Sequence, residues 1–185
     1  MKKFAVITVI SVAAILVVAV GCRREEESQP GASATTSASA AAPLPAGLVA
    51  TEAPAGGKDV TALKASAKDG EAVVVNGWVG GAEDPIAKNR AIMTVADAGL
   101  PNCKATPMDT CATPWDSCCE PVETRTAKTV TVQVVDDKGK PLAANLESVA
   151  GLKPLSKVTV AGIARRPAGS DVLVVEAKQI HVTPQ

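Results

Sequence analysis

Aromatic side chains are nearly missing from this 185-residue chain: it has no tyrosine, one phenylalanine and two tryptophans. Basic excess is missing too, since 19 Lys and Arg face 19 Asp and Glu. Nucleic-acid affinity draws on counterion release by clustered Lys and Arg, and single-strand platforms add stacked aromatic faces. Neither is available, so nucleic acid is not an expected partner. The single histidine, His181, gives no convincing Ser-His-Asp set. No Gly-rich loop follows a strand and opens a helix as a phosphate cradle does, and no carboxylate pair stands out. The expectation is a protein without catalytic activity.

Long apolar runs are also absent, with one exception. After Met1-Lys2-Lys3 the chain is apolar from Phe4 through Val20 and reaches Gly21-Cys22 before Arg23-Arg24-Glu25-Glu26-Glu27. A basic start, an apolar run and a small residue before a cut match a secretory signal. The tetrad Ala19-Val20-Gly21-Cys22 resembles the bacterial lipobox. That resemblance implies a signal peptide over 1–21, lipidation of Cys22, and anchoring in the bacterial cell envelope, with the membrane itself as a partner. Arg23 rather than Asp after the cysteine points to the outer membrane over the inner. The competing expectation is an uncleaved helix, for which seventeen residues from Phe4 to Val20 lie at the lower edge of a bilayer span. Loss of Lys2 and Lys3 with the signal leaves 17 basic against 19 acidic residues.

Segment 22–59 is rich in Ala, Ser, Thr, Pro and Gly and lacks a periodic apolar pattern able to bury a core. It is expected to be a disordered linker, and about thirty-five such residues have a root-mean-square reach of roughly 30 Å. The Ala-rich stretch Ala38 to Ala42 is cut short by Pro43 and Pro45. Residues 60–185 then make one domain of ordinary size.

Five strands are expected in that domain. Glu71 to Val79 is β-branched and ends at Gly80-Gly81. Arg90 to Ala98 carries Ile92, Met93 and Val95. Thr129 to Val134 alternates Val130, Val132 and Val134 with Thr131 and Gln133, the period of a half-buried strand. Lys157 to Ile163 and Asp171 to Ala177, continuing towards Val182, complete the set. Between the third and fourth, Leu142, Leu146 and Val149 share one helical face, and Gly151 is placed to end a helix over 142–152. The order β-β-β-α-β-β is that of the OB fold, a five-stranded Greek-key barrel plugged by one helix. Val73 to Val79 followed by Ile92 to Asp97 resembles the first two strands of nucleic-acid-type OB domains. A β-sandwich or an SH3-like barrel is the alternative architecture.

An insertion of about thirty residues, 99–127, separates the second and third strands and is too long for a simple hairpin connection. It holds Cys103, Cys111, Cys118 and Cys119. In an oxidising compartment clustered cysteines usually form disulfides, and because a bridge between adjacent cysteines is strained, Cys118 and Cys119 are expected to pair with Cys103 and Cys111. The alternative is a metal: four thiolates suit Zn, and thiolate with the thioether of Met108 suits Cu(I). The Cys-x7-Cys-x6-Cys-Cys spacing lacks zinc knuckles, however, and His181 falls on the last strand. The third alternative is a redox-active vicinal pair, against which Glu120 stands, since a neighbouring acid raises a thiol pKa. Asp97, Asp109, Asp116 and Glu120 could gather round a cation, though such loop acids are usually solvated. The stretch Cys111 to Pro121, with Thr113-Pro114-Trp115-Asp116 and Cys118-Cys119-Glu120-Pro121, resembles a segment of small planctomycete lipoproteins with an OB-like domain. The resemblance implies shared architecture and lends no activity.

OB barrels present the face of the second and third strands and adjoining loops to ligands. The expected function is therefore a lipid-anchored envelope module binding a protein, glycan or small ligand, with Trp78, Arg90, Arg165 and Arg166 as candidate contacts. No cofactor is expected on that reading. The alternatives are a thiol-dependent Zn, Cu or redox protein and, by fold analogy alone, a single-strand nucleic-acid binder.

Overall fold

The computed structural model describes residues 42–105, 111–170 and 172–184. Elements run β1 (Lys58–Asp59), α1 (Val60–Ser66), β2 (Ala72–Val79), β3 (Ile92–Ala96), a 3-10 turn (Cys103–Ala105), α2 (Val122–Lys128), β4 (Thr129–Gln133), a second 3-10 turn (Leu146–Ser148), β5 (Lys157–Arg165) and β6 (Val174–Val182). The order β1-β2-β3-β4-β6-β5, with β5 returning to β2, closes a five-stranded barrel to which β1 is appended. All barrel pairings are antiparallel except β4 with β6. This is an OB-fold-like barrel, as the strand pattern predicts, and all five expected strands form.

The β-branched residues occupy the interior because a strand turns alternate side chains to one face. Val73 and Val75 of β2, Met93 and Val95 of β3, Val130 and Val132 of β4, and Val158 and Val160 of β5 are all buried. Full burial of such a side chain stabilises by about 1.5–3 kcal/mol. Gly77 lets β2 curve from one partner to the next: a Cβ there would stand 2.3 Å from the Ala96 carbonyl oxygen. Register confirms the handover, since β2 pairs with β5 over 72–78 and with β3 only at Trp78 and Val79.

Three expectations need correction. The helix over 142–152 contracts to the 3-10 turn Leu146–Ser148, which the Asn145 side chain caps by accepting from the Glu147 N–H. Of the expected face Leu146 and Val149 are buried but Leu142 only partly; with Leu152 the buried positions follow the three-residue spacing of successive tight turns. Second, residues 42–59 are not linker. Leu48 is 2 % exposed in the core, Val49 bridges Ile180, and the Ala42 N–H donates to the Ala143 carbonyl at 2.7 Å. Two leucines, Leu44 and Leu48, supply the apolar surface that ties this segment down. Third, two short helices flank the barrel unforeseen: α1 buries Val60 and Leu63, whereas α2, at the end of the insertion, buries no residue.

Among the described residues no helix is long and apolar enough to cross a membrane. The signal, Cys22 and the segment 22–41 lie outside the described residues, as do Met108 and Asp109.

Candidate metal centre

The cysteine insertion is pinned to the barrel at its middle. Gly81, with φ +80°, adopts the left-handed conformation that favours glycine and donates its N–H to the Trp115 carbonyl at 2.9 Å. The Trp115 indole N–H in turn donates to the Glu83 carbonyl at 2.8 Å. Across the loop, the N–H groups of Cys103 and Lys104 donate to the carbonyls of Asp116 (2.8 Å) and Pro114 (3.0 Å). Buried Ser117 donates its hydroxyl to the Pro101 carbonyl at 2.6 Å. These bonds bring both arms of the loop together one residue before Cys118.

The sulfurs converge there. Cys118 Sγ lies 3.4 Å from Cys103 Sγ and 3.2 Å from Cys111 Sγ, and all three lie within 4.8 Å of one another. Cys103 is buried, Cys111 is half-buried, and Cys118 and Cys119 are exposed. Among the described residues no bond joins these sulfurs in a disulfide. Hydrogen bonds from Cys111 and Cys103 hold the Cys118 thiol below its ordinary pKa; Cys119 adds to this, while desolvation and the charge of Asp116 oppose it. The expectation that Glu120 would raise the pair is thus corrected at Cys118: the opposing acid is Asp116, and the neighbouring thiols outweigh it.

A soft cation fits such an arrangement. Zinc sits about 2.3 Å from each thiolate, which at the tetrahedral angle sets sulfurs about 3.8 Å apart. The two separations from Cys118 Sγ, 3.4 and 3.2 Å, would open by about half an ångström to reach that spacing. His181 is no ligand here, since its Nδ1 contacts the Ala50 carbonyl at 3.2 Å on β6.

The arginine face does not assemble. Arg166 is used internally: its side chain donates to the carbonyls of Ala67 (3.0 Å) and Lys64, and its N–H donates to Asp69 Oδ1 at 2.8 Å. Arg165 pairs with Glu176 at 3.0 Å. Trp78 is buried and donates its indole N–H to the Asp97 carbonyl at 2.9 Å. Arg90 is exposed on the turn before β3. Trp78 and Arg166 are therefore committed to bonds within the fold and Arg165 to a part-exposed ion pair, and their residue types alone could not have distinguished those roles.

Among the described residues Asp97, Asp116 and Glu120 do not gather either; Asp109 lies outside them. Asp97 Oδ2 accepts from the Thr61 N–H (2.9 Å) and hydroxyl (2.8 Å), and Oδ1 accepts from the Gly99 N–H at 2.9 Å. Burial pushes this carboxyl up, but those three donors and the charge of Lys128 more than reverse it, leaving its pKa below the ordinary value. Asp97 thereby caps the first turn of α1, where the adjoining Asp59 makes no side-chain cap. Asp116 Oδ1 accepts from the Ser117 N–H at 2.7 Å.

Fold and site together define an OB-like barrel carrying a thiol cluster on the connection between its second and third barrel strands. No family model matches the chain, and no curated protein matches it. Among solved structures it is similar to the hypothetical protein YgiW from E. coli, at 15 % identity and a TM-score of 0.37, over 70 % of this chain and 94 % of that one.

Proposed function

We propose that this chain is a lipid-anchored envelope module, without catalytic activity, that binds a thiophilic metal ion through Cys103, Cys111 and Cys118. One observation carries the reading: three sulfurs from separate parts of one loop lie within 4.8 Å of one another. Thiolate ligands select Cu(I) and Zn(II) among the common ions. Cys119, in hydrogen-bond contact with Cys118, is the fourth thiol for a tetrahedral ion, and three-coordinate Cu(I) has no need of it. Cys22 supplies the membrane tether.

The test is titration of the reduced chain with Zn(II), and with Cu(I) under competition from a chromophoric chelator. One ion per chain is expected. Structural zinc sites bind with about 10–16 kcal/mol, roughly 3 kcal/mol per thiolate, so Cys118→Ser should weaken binding more than about a hundredfold. A chain that takes up neither ion, or a variant that binds as tightly as the parent, refutes the reading. A second reading keeps disulfides, favoured by the position of Cys118 within reach of both Cys103 and Cys111. Intact mass of envelope-purified protein, before and after reduction and alkylation, decides between thiols and bridges and reports any acyl group on Cys22.

A further inference from the structure

A groove of about 1050 Å³ lies beside the thiol loop, between residues 98–105 and 153–155. It is lined by residues of β2 and β5, and of the four contacts expected from the sequence it includes Trp78 alone. Half-buried Leu155, packed on the buried Trp78 and Leu100, forms its apolar floor together with Pro101 and Pro154. Lys104, Lys153 and Lys157, all exposed, stand on its lining, against one acid, Asp59. Leu155 is set into the floor by a backbone conformation that branched side chains avoid, φ +71°. The N–H of Leu155 is tied to the Val79 carbonyl at 2.8 Å. Strain of this kind persists only where surrounding structure imposes it, and it concentrates at ligand sites.

We propose that this groove binds a short acidic peptide segment of a partner protein, its carboxylates on the three lysines and an apolar side chain on the Pro154–Leu155 floor. The volume lies at the upper end of the roughly 300–1,000 Å³ of ligand pockets and is open enough to admit a short extended segment. Charge selects an anion. The apolar floor selects a peptide over an acidic sugar, which would leave that floor uncovered; Trp78, at 8 % exposure, offers no open ring face for a sugar to stack on.

The experiment uses the full chain with metal chelated, so that its outcome is independent of the thiol site. Fluorescent peptides of alternating Glu and Leu, their Lys-Leu counterparts and oligogalacturonate are titrated by anisotropy at two salt concentrations. The acidic peptide is expected to bind more weakly at high salt. Joint substitution Lys153→Glu and Lys157→Glu should weaken it about tenfold or more, and Lys138→Glu, on the Asp136 turn, should leave it unchanged. Circular dichroism of each variant reports the fold. No binding of the acidic peptide, equal binding of the basic one, tighter binding of oligogalacturonate, or indifference to the lysine substitutions in a folded variant overturns the proposal.

Discussion

Removing the carboxylate of Asp97 should loosen the barrel in a way that pH reveals. The side chain is 7 % exposed and accepts from Thr61 twice and from Gly99 once, at 2.8–2.9 Å. It thereby joins α1 to the start of the cysteine loop. Hydrogen bonds to a charged group contribute about 1.5–3 kcal/mol each, and bonds sharing one acceptor group do not add fully. Asp97→Ala should therefore destabilise by about 3 kcal/mol, which at about 3 °C per kcal/mol for a domain of this size lowers Tm by roughly 10 °C. Asp97→Asn keeps one acceptor oxygen but turns an NH2 towards an N–H donor, and should lose about 1–2 kcal/mol. Because the folded carboxyl is held below its ordinary pKa, its ionisation contributes stability above the unfolded value, near 3.9, and that contribution disappears as pH falls through the folded value. The gap between the parent and Asp97→Asn should be open at pH 7 and close below about pH 4. Urea denaturation followed by circular dichroism at pH 7, 5 and 2.5 measures it. A gap of equal size at all three, or none at pH 7, would refute the assigned role.

Arg166→Ala frees the carbonyls of Lys64 and Ala67 at the end of α1 and should lower stability by about 1–2 kcal/mol in urea; Arg166→Lys should not restore it, because two carbonyls need the guanidinium fork. An unchanged midpoint would return Arg166 to the pool of free surface charges. Gly77→Ala drives a methyl against the Ala96 carbonyl, 2.3 Å from the added Cβ, and should destabilise by at least about 1–3 kcal/mol, read as a drop in Tm; a melt like that of the parent contradicts the close approach. Metal uptake should weaken as pH falls, since protons compete for the thiolates, and a pH-independent affinity would argue for ligands other than cysteine.

The barrel was legible because its strands are half-buried and therefore alternate. Val130, Val132 and the polar residues between them announce β4 without any tertiary information. Helices were harder. α1 has seven residues and only Val60 and Leu63 on its buried side, too few for a periodic signal, and it is held by Asp97 from thirty-six residues away. Leu142, Leu146 and Val149 fall at helical spacing, but the chain turns tightly at the Asn145 cap and Leu152, rather than Leu142, takes the third buried place. The segment 42–59 reads as linker because it is rich in Ala, Pro and Gly and has no periodic apolar pattern; what orders it is a contact of Leu48 with a core the local sequence does not contain. The four cysteines were identifiable as a cluster. Which sulfur would stand at its centre depended on Ser117 and Trp115, whose backbone anchoring has no local signature.

Closure of the sheet has a temporal consequence. Val73 faces Gly162 and Val75 faces Val160, so β2 must wait for a strand more than eighty residues further along the chain. The fold is dominated by such distant pairings, and domains of this kind mature in milliseconds to seconds. β3 and β4, by contrast, flank the cysteine loop and can meet as soon as both exist. The sulfur-bearing connection between them can thus take shape before the cylinder seals.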